Sequence, residues 1–278
     1  MKKIVACYNP ALGSTLKEEL ESLEEYFEVK LFSEEECYSN STIFLIVGGD
    51  GTLNYFINKV RKFNDFKIVY VPRGTANDFS KTLKIEDFKI NSAKIKEIIE
   101  SDFFVKVPLL KCNDKYFLNC VTGGAPAQVT ESGDTLIKKL LGRFSYYLSA
   151  LDKMFGNTIW KLSYTVRDKV NKFDSLGFVV SQGIFAGGGI KVRSASSPSF
   201  GDDFVFVANA DGKLSSSLHS ILEIQKENTT LNNAYEINTD NLVLESDINI
   251  PCKVDGESFE SNKITFIKTA DDLLFYLF

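Results

Sequence analysis

Length, composition and charge already exclude several classes of protein. The chain has 278 residues, of which 44% are hydrophobic and 25% charged, as is ordinary for a globular protein of one large or two modest domains. Its net charge of −5 argues against a dedicated nucleic-acid binder, which would usually be basic. The five scattered cysteines contain no CxxC pair and fit reduced thiols, and no apolar run is long enough to span a bilayer. We therefore expect a cytoplasmic protein that does not bind nucleic acid.

In the first hundred residues, apolar runs alternate with segments whose apolar residues have helical spacing. The strands are predicted at Lys3–Tyr8, Glu28–Phe32, Ile43–Val47 and Phe66–Val71. The helices are predicted from a cap at Ser14 or Thr15 to Phe27, after Thr52, over Ala76–Leu83 and over Ser92–Glu100. Strands that alternate with helices predict a Rossmann-like α/β domain, with a mostly parallel sheet covered by helices on both faces.

The predicted strand at Ile43–Val47 runs into a glycine-rich turn, Gly48–Gly51, and Thr52 opens a helix. Glycines let the backbone approach a phosphate closely, and the N–H groups at the start of the helix point at the anion. Asp50 would repel a phosphate unless a cation lay between them. The turn therefore indicates a phosphate site with a divalent metal.

Two further loops follow predicted strands in the same way as the loop Gly48–Thr52. They are Asn9–Ser14 and Pro72–Asn77, and the second contains Gly74, which frees the backbone, just before the carboxylate of Asp78. Because the carboxyl ends of parallel strands meet at one edge of a sheet, these loops should gather there. Ligands of open α/β sheets bind at that edge.

The pattern changes near residue 105, where short β-rich runs replace the alternation. The strands are predicted at Phe103–Cys112, Tyr116–Val121, Ile159–Val166, Ser175–Ser181, Phe204–Ala208, Asn241–Glu245, Lys263–Lys268 and Leu273–Phe278. Two helices fit Leu136–Phe155 and Leu214–Leu222, and the one histidine, His219, lies in the second, where we expect a structural role. Many short strands with turn signals predict a β-rich, sandwich-like second domain.

Several short motifs occur in a fixed order along the chain. GGDGT at residues 48–52 is followed by PRGTANDF at residues 72–79, and NPALGS at residues 9–14 precedes them. Gly187–Gly189 and Val254–Glu257 come later. This series resembles the catalytic region of the diacylglycerol kinase family, in its bacterial soluble lipid kinase branch, which is related to NAD kinases and sphingosine kinases. GGDGT alone would also fit an NAD kinase, whereas PxGTxND with a late DGE favours a lipid kinase.

The resemblance implies two domains with a nucleotide cleft between them. They are a kinase domain over residues 1–105, to which residues 270–278 return, and a β-rich lipid-substrate domain over residues 106–269. It implies transfer of the γ-phosphate of ATP, with Mg²⁺, to a hydroxyl group of diacylglycerol or a related lipid. It also implies peripheral contact with the inner face of the membrane, and it leaves the oligomeric state open, a homodimer included.

The resemblance also implies roles for single residues. The nucleotide would be bound by Asn9, Ser33, Gly48, Gly49, Asp50, Gly51, Thr52, Leu53, Asn54, Gly74 and Thr75. Asp50 and Asp78 would organise the magnesium ion, Asp255 would be the general base, and Asn77 and Glu257 would support the site. These residue types suit phosphoryl transfer, which requires positioning, charge neutralisation and one well-placed base.

Two loops of the second half carry weaker expectations. A structural Mg²⁺ is implied with Asp203 as the side-chain ligand and the carbonyl groups of Phe200 and Val205 nearby, although Phe204 replaces the glycine that the family has there. The glycine triplet Gly187–Gly189 is expected to shape a tight bend between strands.

Two positions depart from the family pattern and leave alternatives open. Tyr55 stands where the family has a glutamate, and Pro126 where it has an aspartate of the magnesium network. Proline cannot ligate a metal, and the loss of such a partner typically lowers metal affinity or activity about 10–100-fold. The carboxylates that follow it in the sequence are Glu131 and Asp134. The chain is therefore a lipid kinase or, as an alternative, a nucleotide- or lipid-binding relative with weakened or lost catalysis. An NAD kinase is a third and less favoured interpretation.

Overall fold

The computed structural model describes residues 2–39, 41–60, 66–129, 158–193, 200, 203–209, 211–213, 223–224 and 234–278. The chain divides into two compact units: unit 1 contains Met1–Leu109 and Thr269–Phe278, and unit 2 contains Leu110–Lys268. The helices predicted over Leu136–Phe155 and around His219 lie outside the described residues, as does Asp134. None of the described helices is long and apolar enough to cross a membrane.

Unit 1 is built on parallel strands. They are β1 (Lys2–Tyr8), β2 (Phe27–Leu31), β3 (Ile43–Gly48) and β4 (Lys67–Pro72). They lie in the order β2-β1-β3-β4, and every neighbouring pair is parallel. Every residue of β3 is buried, which explains why its sequence is a continuous apolar run. Near the end of the chain, Leu274 and Phe275 add a further parallel pairing to β4.

The helices of unit 1 are α1 (Gly13–Glu21), α2 (Asp50–Lys59), α3 (Asp78–Leu83) and α4 (Ser92–Ser101). The predicted bounds of α1 are wrong at both ends. It begins at Gly13, after a 3-10 turn at Pro10–Leu12, with no side-chain cap, and it ends at Glu21. Leu23 and Phe27 are buried as predicted, but from a turn and from β2. Apolar spacing thus identifies the core-facing side chains better than the end of the helix.

Unit 2 is built mainly from antiparallel strands, together with one short helix, α5 (Ala125–Val129). The strands are β5 (Phe104–Cys112), β6 (Lys115–Phe117), β7 (Cys120–Gly124), β8 (Trp160–Val166), β9 (Lys169–Ser175), β10 (Gly177–Ser181), β11 (Phe185–Ala186), β12 (Ile190–Lys191), β13 (Phe204–Asn209), β14 (Ala234–Thr239), β15 (Asn241–Val254) and β16 (Glu257–Tyr276). Neighbours in the order β14-β13-β10-β7-β15-β16 are antiparallel, and the β8–β9 hairpin joins at β15. β5 begins and β16 ends within unit 1.

The predicted fold class is confirmed, since an α/β part with parallel strands is followed by a β-rich part. Several predicted strands are wrong in detail. The run Tyr116–Val121 is divided between β6 and β7, because the backbone at Leu118 and Asn119 turns away to bond a side chain. The last two predicted strands are one long strand, β16. The strands β9 and β14 were not predicted, because they are mostly exposed or half-buried and therefore carry few apolar residues.

Candidate active site

The carboxyl ends of the parallel strands carry the predicted phosphate-binding loops of unit 1. Asn9 directly follows β1, and its N–H donates to the carbonyl group of Val47 at 3.1 Å, next to the turn after β3. The loop after β4 joins the same turn, because the N–H of Arg73 donates to the carbonyl group of Gly48 at 2.9 Å. Ser33 follows β2. The loops therefore lie along one edge of the sheet.

Two glycines bring the loops after β3 and β4 into direct contact. A Cβ atom on Gly49 would lie 2.9 Å from the Cα of Gly74, and a Cβ on Gly74 would overlap with Gly49. Asn77 holds the second loop in shape, since its Nδ2 donates to the carbonyl groups of Pro72 and Gly74 at 2.9 Å each. Its Oδ1 accepts from the N–H of Gly74 at 3.0 Å. Asn77 also has a left-handed backbone, with φ 51°, which asparagine adopts more readily than most residues.

Asp50 connects the start of α2 to the start of α3. Its carboxylate oxygens accept hydrogen bonds from the N–H groups of Asp78 at 2.8 Å and of Phe79 at 3.2 Å. Burial raises the pKa of the Asp50 carboxyl above its usual range, and the Asp78 carboxylate also raises it, while the two N–H groups oppose this shift. Asp78 is 4% exposed and forms an ion pair with Lys81 at 3.1 Å. Two carboxylates thus lie close together in a largely buried setting.

This pair of carboxylates fits a hydrated magnesium ion. Mg²⁺ keeps several of its waters and usually binds one or two carboxylates together with substrate phosphates. Each carboxylate oxygen of Asp50 accepts one of these two N–H groups and can still accept a bond from a coordinated water. Within the described ranges, no group of three or more His, Cys, Asp or Glu side chains could hold a metal ion. A metal at Asp50 and Asp78 would need further oxygen ligands, such as water or phosphate.

The other predicted nucleotide-binding residues differ in what they can offer a ligand. The Thr75 hydroxyl group belongs to an exposed residue, so it is accessible. Leu53 and Asn54 are buried, with 2% and 3% of their surface exposed. Thr52 is half-buried, and its side chain occupies the space where Gly48 would carry a Cβ atom.

Arg73 lies within the PRGTANDF motif, and sequence analysis assigned it no role. Its guanidinium binds Glu19 of α1 through two hydrogen bonds of 2.6 and 3.3 Å, and its Nε donates to Asp87 at 2.9 Å. The side chains of Arg73 and Glu19 are only 17% and 10% exposed. A bidentate, largely buried ion pair constrains the two segments it joins more strongly than a surface ion pair does. It fixes the loop after β4 to α1. Because Glu19 is 54 residues away, no local sequence pattern could have revealed the pair.

In unit 2, Asp255 and Gly256 form the two-residue turn between β15 and β16. Both have a positive φ, of 44° and 98°, as the usual two-residue hairpin turn with the sequence Asp-Gly requires. The Asp255 carboxylate accepts the N–H groups of Leu118 at 2.8 Å, Asn119 at 3.1 Å and Cys120 at 2.8 Å. Leu118 and Asn119 separate β6 from β7, and Cys120 begins β7. The DGE segment is thus a turn whose aspartate organises a second segment of the chain.

The three N–H groups together bind both oxygens of the Asp255 carboxylate. Glu257, predicted to support the site, is exposed and forms an ion pair with Lys115 at 2.9 Å.

Tyr55, the first departure from the family pattern, is bonded to the loop after β2. Its hydroxyl group donates to Glu34 at 2.7 Å, and the Nζ of Lys59 lies 3.3 Å from the other oxygen of Glu34. The hydrogen bond to Glu34 raises the pKa of Tyr55 to about 12, and the same bond lowers the pKa of Glu34. Ser33 precedes this glutamate, and its hydroxyl group accepts the N–H of Glu35 at 3.3 Å. Tyr55 therefore anchors the loop that contains Ser33.

Pro126, the second departure, lies in the first turn of α5. A proline is tolerated there because the N–H groups of the first turn have no partner within the helix. A Cβ atom on Gly177 would lie 2.5 Å from the Cδ of Pro126, so the ring packs closely against this strand. The helix Ala125–Val129 contains no carboxylate that could replace the family's aspartate.

Two further loops of unit 2 carried predictions, one of a tight bend and one of a structural metal site. Gly187, Gly188 and Gly189 have φ values of 60°, 86° and 104° and connect β11 to β12, which confirms the predicted tight bend. Around the predicted structural metal, Asp203 is half-buried, while the two residues before it lie outside the described residues. That metal site stays a prediction.

Comparison with known proteins finds a family model and several named relatives that match parts of this chain. Residues 6–106 match the model of the diacylglycerol kinase catalytic domain. A "Putative lipid kinase" of Staphylococcus carnosus (strain TM300) is 29% identical over 77% of this chain and 70% of its own length. A protein of the same name from Staphylococcus epidermidis (strain ATCC 12228) is 30% identical over 73% of this chain and 64% of its own length. A diacylglycerol kinase of Staphylococcus aureus (strain JH9) is 31% identical, over 45% of this chain and 39% of its own length.

Solved structures share the fold over nearly the whole chain. The crystal structure of a "putative diacylglycerol kinase" from Bacillus anthracis has a TM-score of 0.73 at 19% identity and covers 99% of this chain and 95% of its own. An NAD kinase from Archaeoglobus fulgidus in complex with ATP has a TM-score of 0.59 at 17% identity and covers 100% of this chain and 94% of its own. Such low identities show the fold alone. The sequence matches confirm the resemblance, since residues 6–106 match the diacylglycerol kinase catalytic domain and the matched relatives are named as lipid or diacylglycerol kinases.

Proposed function

We propose that this chain is an ATP- and Mg²⁺-dependent lipid kinase, which transfers the γ-phosphate to a hydroxyl group of diacylglycerol or a related lipid. The observation that carries the proposal is the contact between the loops Gly48–Thr52 and Pro72–Asn77, with the carboxylates of Asp50 and Asp78 beside them. Glycine-rich backbone next to paired carboxylates suits a polyphosphate that is bound with a divalent cation. The names of the matched relatives support the same class of reaction.

The loops of unit 1 are proposed to hold the nucleotide. No side chain caps the start of α2, and the N–H groups of Thr52 and Leu53 bond the Gly49 carbonyl group, so those of Asp50 and Gly51 are the ones proposed to face an anion. The hydroxyl group of Thr75 can donate a hydrogen bond to the same ligand. Asn9 and Ser33 follow neighbouring strands and are proposed to contact other parts of the nucleotide. Mg²⁺, when bound, would neutralise phosphate charge, and Asp50 and Asp78 are the residues that would hold it.

Asp255 is proposed as the general base. In the reaction, the lipid oxygen forms a bond to the γ-phosphorus while its proton passes to the Asp255 carboxylate. The bond from this phosphorus to the oxygen that bridges the β- and γ-phosphates breaks, and ADP leaves. The three N–H groups that bind Asp255 fix the orientation of the carboxylate, so that proton transfer needs little rearrangement.

The test is transfer of labelled γ-phosphate from ATP to a broad panel of extracted lipids in the presence of Mg²⁺. Wild type is compared with Asp255→Asn, which keeps the size of the side chain, and with Asp168→Asn. Asp168 is a matched control because it is an aspartate with positive φ (63°) in the two-residue turn between β8 and β9. We expect Asp255→Asn to lower kcat by about 10²–10⁴-fold and Asp168→Asn to leave it unchanged. A wild type that phosphorylates no lipid contradicts the proposal.

The second candidate is a nucleotide- or lipid-binding protein with weakened catalysis, and Pro126 is the observation that favours it. In that case the wild type binds ATP without turnover, and Asp255→Asn changes nothing. Appearance of lipid kinase activity in Pro126→Asp would identify the missing carboxylate as the cause. The same assay with NAD as the acceptor tests the third interpretation, an NAD kinase.

A further inference from the structure

We propose that Asn119 is a positioning residue that ties the Asp255 turn to the glycine hairpin, which we define as Phe185–Lys191. Asp255 and the hairpin would then form one rigid subsite for the hydroxyl group of the acceptor. The proposal rests on the proposed function, because it assigns part of the acceptor subsite of the same reaction. Asn119 touches neither reacting group and acts through Asp255.

The evidence is that Asn119 forms hydrogen bonds both to Asp255 and to the segment that contains the glycine hairpin. Its N–H donates to the Asp255 carboxylate at 3.1 Å. Its side-chain Nδ2 donates to the carbonyl group of Phe185, the first residue of the glycine hairpin, at 2.9 Å. Its carbonyl group accepts the N–H groups of Gln182 at 3.1 Å and Gly183 at 3.2 Å. One residue, 6% exposed, therefore binds both the candidate base and the segment that leads into the hairpin.

The chemistry of the contact fixes the orientation of the Asn119 amide. The reverse orientation would place Oδ1 against the carbonyl oxygen of Phe185, where two acceptors repel each other. In the observed orientation, Oδ1 is buried and receives no hydrogen bond from any described residue. A buried acceptor without a donor destabilises the fold, so stability alone does not explain why residue 119 is an asparagine. The hydrogen bond from Nδ2 to the hairpin explains it.

The glycine hairpin needs such an anchor because its two strands are very short. β11 and β12 have two residues each, and the three consecutive glycines between them have no side chains that could pack. Glycine loses more conformational freedom on folding than any other residue. Without the Asn119 bond, we expect the hairpin to sample several positions relative to Asp255, and misplacement of a reacting group by about 1 Å can cost about 100-fold in rate.

The experiment compares Asn119→Ala and Asn119→Leu with wild type in the ATP-to-lipid assay. Leucine preserves the volume of the side chain, so it controls for a cavity. The matched control is Asn113→Ala, which removes a different asparagine side-chain hydrogen bond in unit 2, the one that Oδ1 accepts from the N–H of Thr265 at 2.8 Å. We expect both Asn119 variants to lower kcat by about 10–100-fold with an unchanged KM for ATP, and Asn113→Ala to keep the wild-type kcat. Variants of Asn119 that are less stable but keep the wild-type kcat would overturn the proposal.

A second measurement decides the inference even if no lipid is phosphorylated. Hydrogen exchange should accelerate in the glycine hairpin for Asn119→Leu, and also for Asp255→Asn, because the Asp255 carboxylate binds the N–H of Asn119. Unchanged exchange in the hairpin would overturn the inference, whatever the activity. A wild type that is inactive but shows this coupled exchange would contradict the proposed function alone.

Discussion

The Asp255 carboxylate combines a proposed catalytic task with a structural one. It is the acceptor for the N–H groups of Leu118, Asn119 and Cys120, which are 1%, 6% and 8% exposed. Removing the acceptor leaves these donors buried without a partner, and each such group costs about 1–3 kcal/mol. We therefore expect Asp255→Ala to lower the free energy of unfolding by several kcal/mol, and Asp255→Asn to lower it less. Denaturant titration of wild type and both variants measures this loss. Asp255→Ala with the stability of wild type would contradict the structural role.

The contact between Gly49 and Gly74 gives a prediction within a single motif. A Cβ atom at either position would force the two loops apart, which typically costs about 1–3 kcal/mol. We expect Gly49→Ala and Gly74→Ala to lower the free energy of unfolding by this amount. Gly51→Ala is the control, because a Cβ there meets nothing within 4 Å and alanine suits a helix better than glycine. Destabilisation by Gly51→Ala as large as that by Gly49→Ala would show that crowding is not the cause.

At the level of whole elements, Arg73 and Tyr55 each fasten a loop of the sheet edge to a helix. Arg73 joins the loop after β4 to α1 through Glu19, and Tyr55 joins α2 to the loop after β2 through Glu34. Neither side chain has to touch a nucleotide for its loss to matter. The loops, which have no regular structure of their own, are thereby held on rigid elements.

The first prediction at this level concerns Arg73→Lys, which keeps the charge but loses the planar fork. We expect a loss of about 1–3 kcal/mol in the free energy of unfolding, because hydrogen bonds to charged, largely buried groups lie in this range. Lys96→Ala is the control, since the pair of Lys96 and Glu100 is exposed and 3.8 Å long, and such pairs contribute at most about 1 kcal/mol. Equal effects of the two substitutions would mean that the Arg73 pair constrains nothing.

The second prediction at this level concerns Tyr55→Phe. Loss of its bond to Glu34 loosens the loop that contains Ser33, so we expect a higher KM for ATP with little change in kcat. The bond lowers the pKa of Glu34 in the folded chain. The contribution of the bond to stability is therefore present above the usual glutamate pKa and is lost as the pH falls through the lowered pKa of Glu34. The stability difference between wild type and variant should therefore shrink from pH 7 to pH 3. Tyr26→Phe, at another exposed tyrosine, is the control and should change neither quantity.

At the level of the whole molecule, the exposure of the five cysteines tests the packing of both units. Cys37 is exposed, whereas Cys7 in unit 1 and Cys112, Cys120 and Cys252 in unit 2 are buried. Burial raises the pKa of the Cys7 and Cys252 thiols to about 12, which suppresses the reactive thiolate near neutral pH. Alkylation at pH 8 should add one group per native chain and five after denaturation, as counted by mass spectrometry. Rapid addition of a second group to the native chain would contradict the described packing.

What the sequence could predict follows from how local each feature is. The strand β3, the glycine turn after it and the bend at Gly187–Gly189 depend on neighbouring residues, and all were predicted. The break between β6 and β7 depends on Asp255, far along the chain, and was not predicted. The contacts of Arg73 with Glu19 and of Asn119 with Phe185 join residues 54 and 66 positions apart. No periodicity marks such pairs, so the sequence could not predict them.

The long strand β16 has a consequence for how the protein is made. Unit 1 is completed by Thr269–Phe278, whereas the rest of its residues end at Leu109. A ribosome that adds about 5–20 residues per second needs roughly 8–32 s to cover the 160 positions from 109 to 269. During that interval β4 lacks its pairing with Leu274 and Phe275, so a nascent chain displays an open strand edge. The first part of unit 1 therefore emerges early but can complete its sheet only after Thr269–Phe278 has been made.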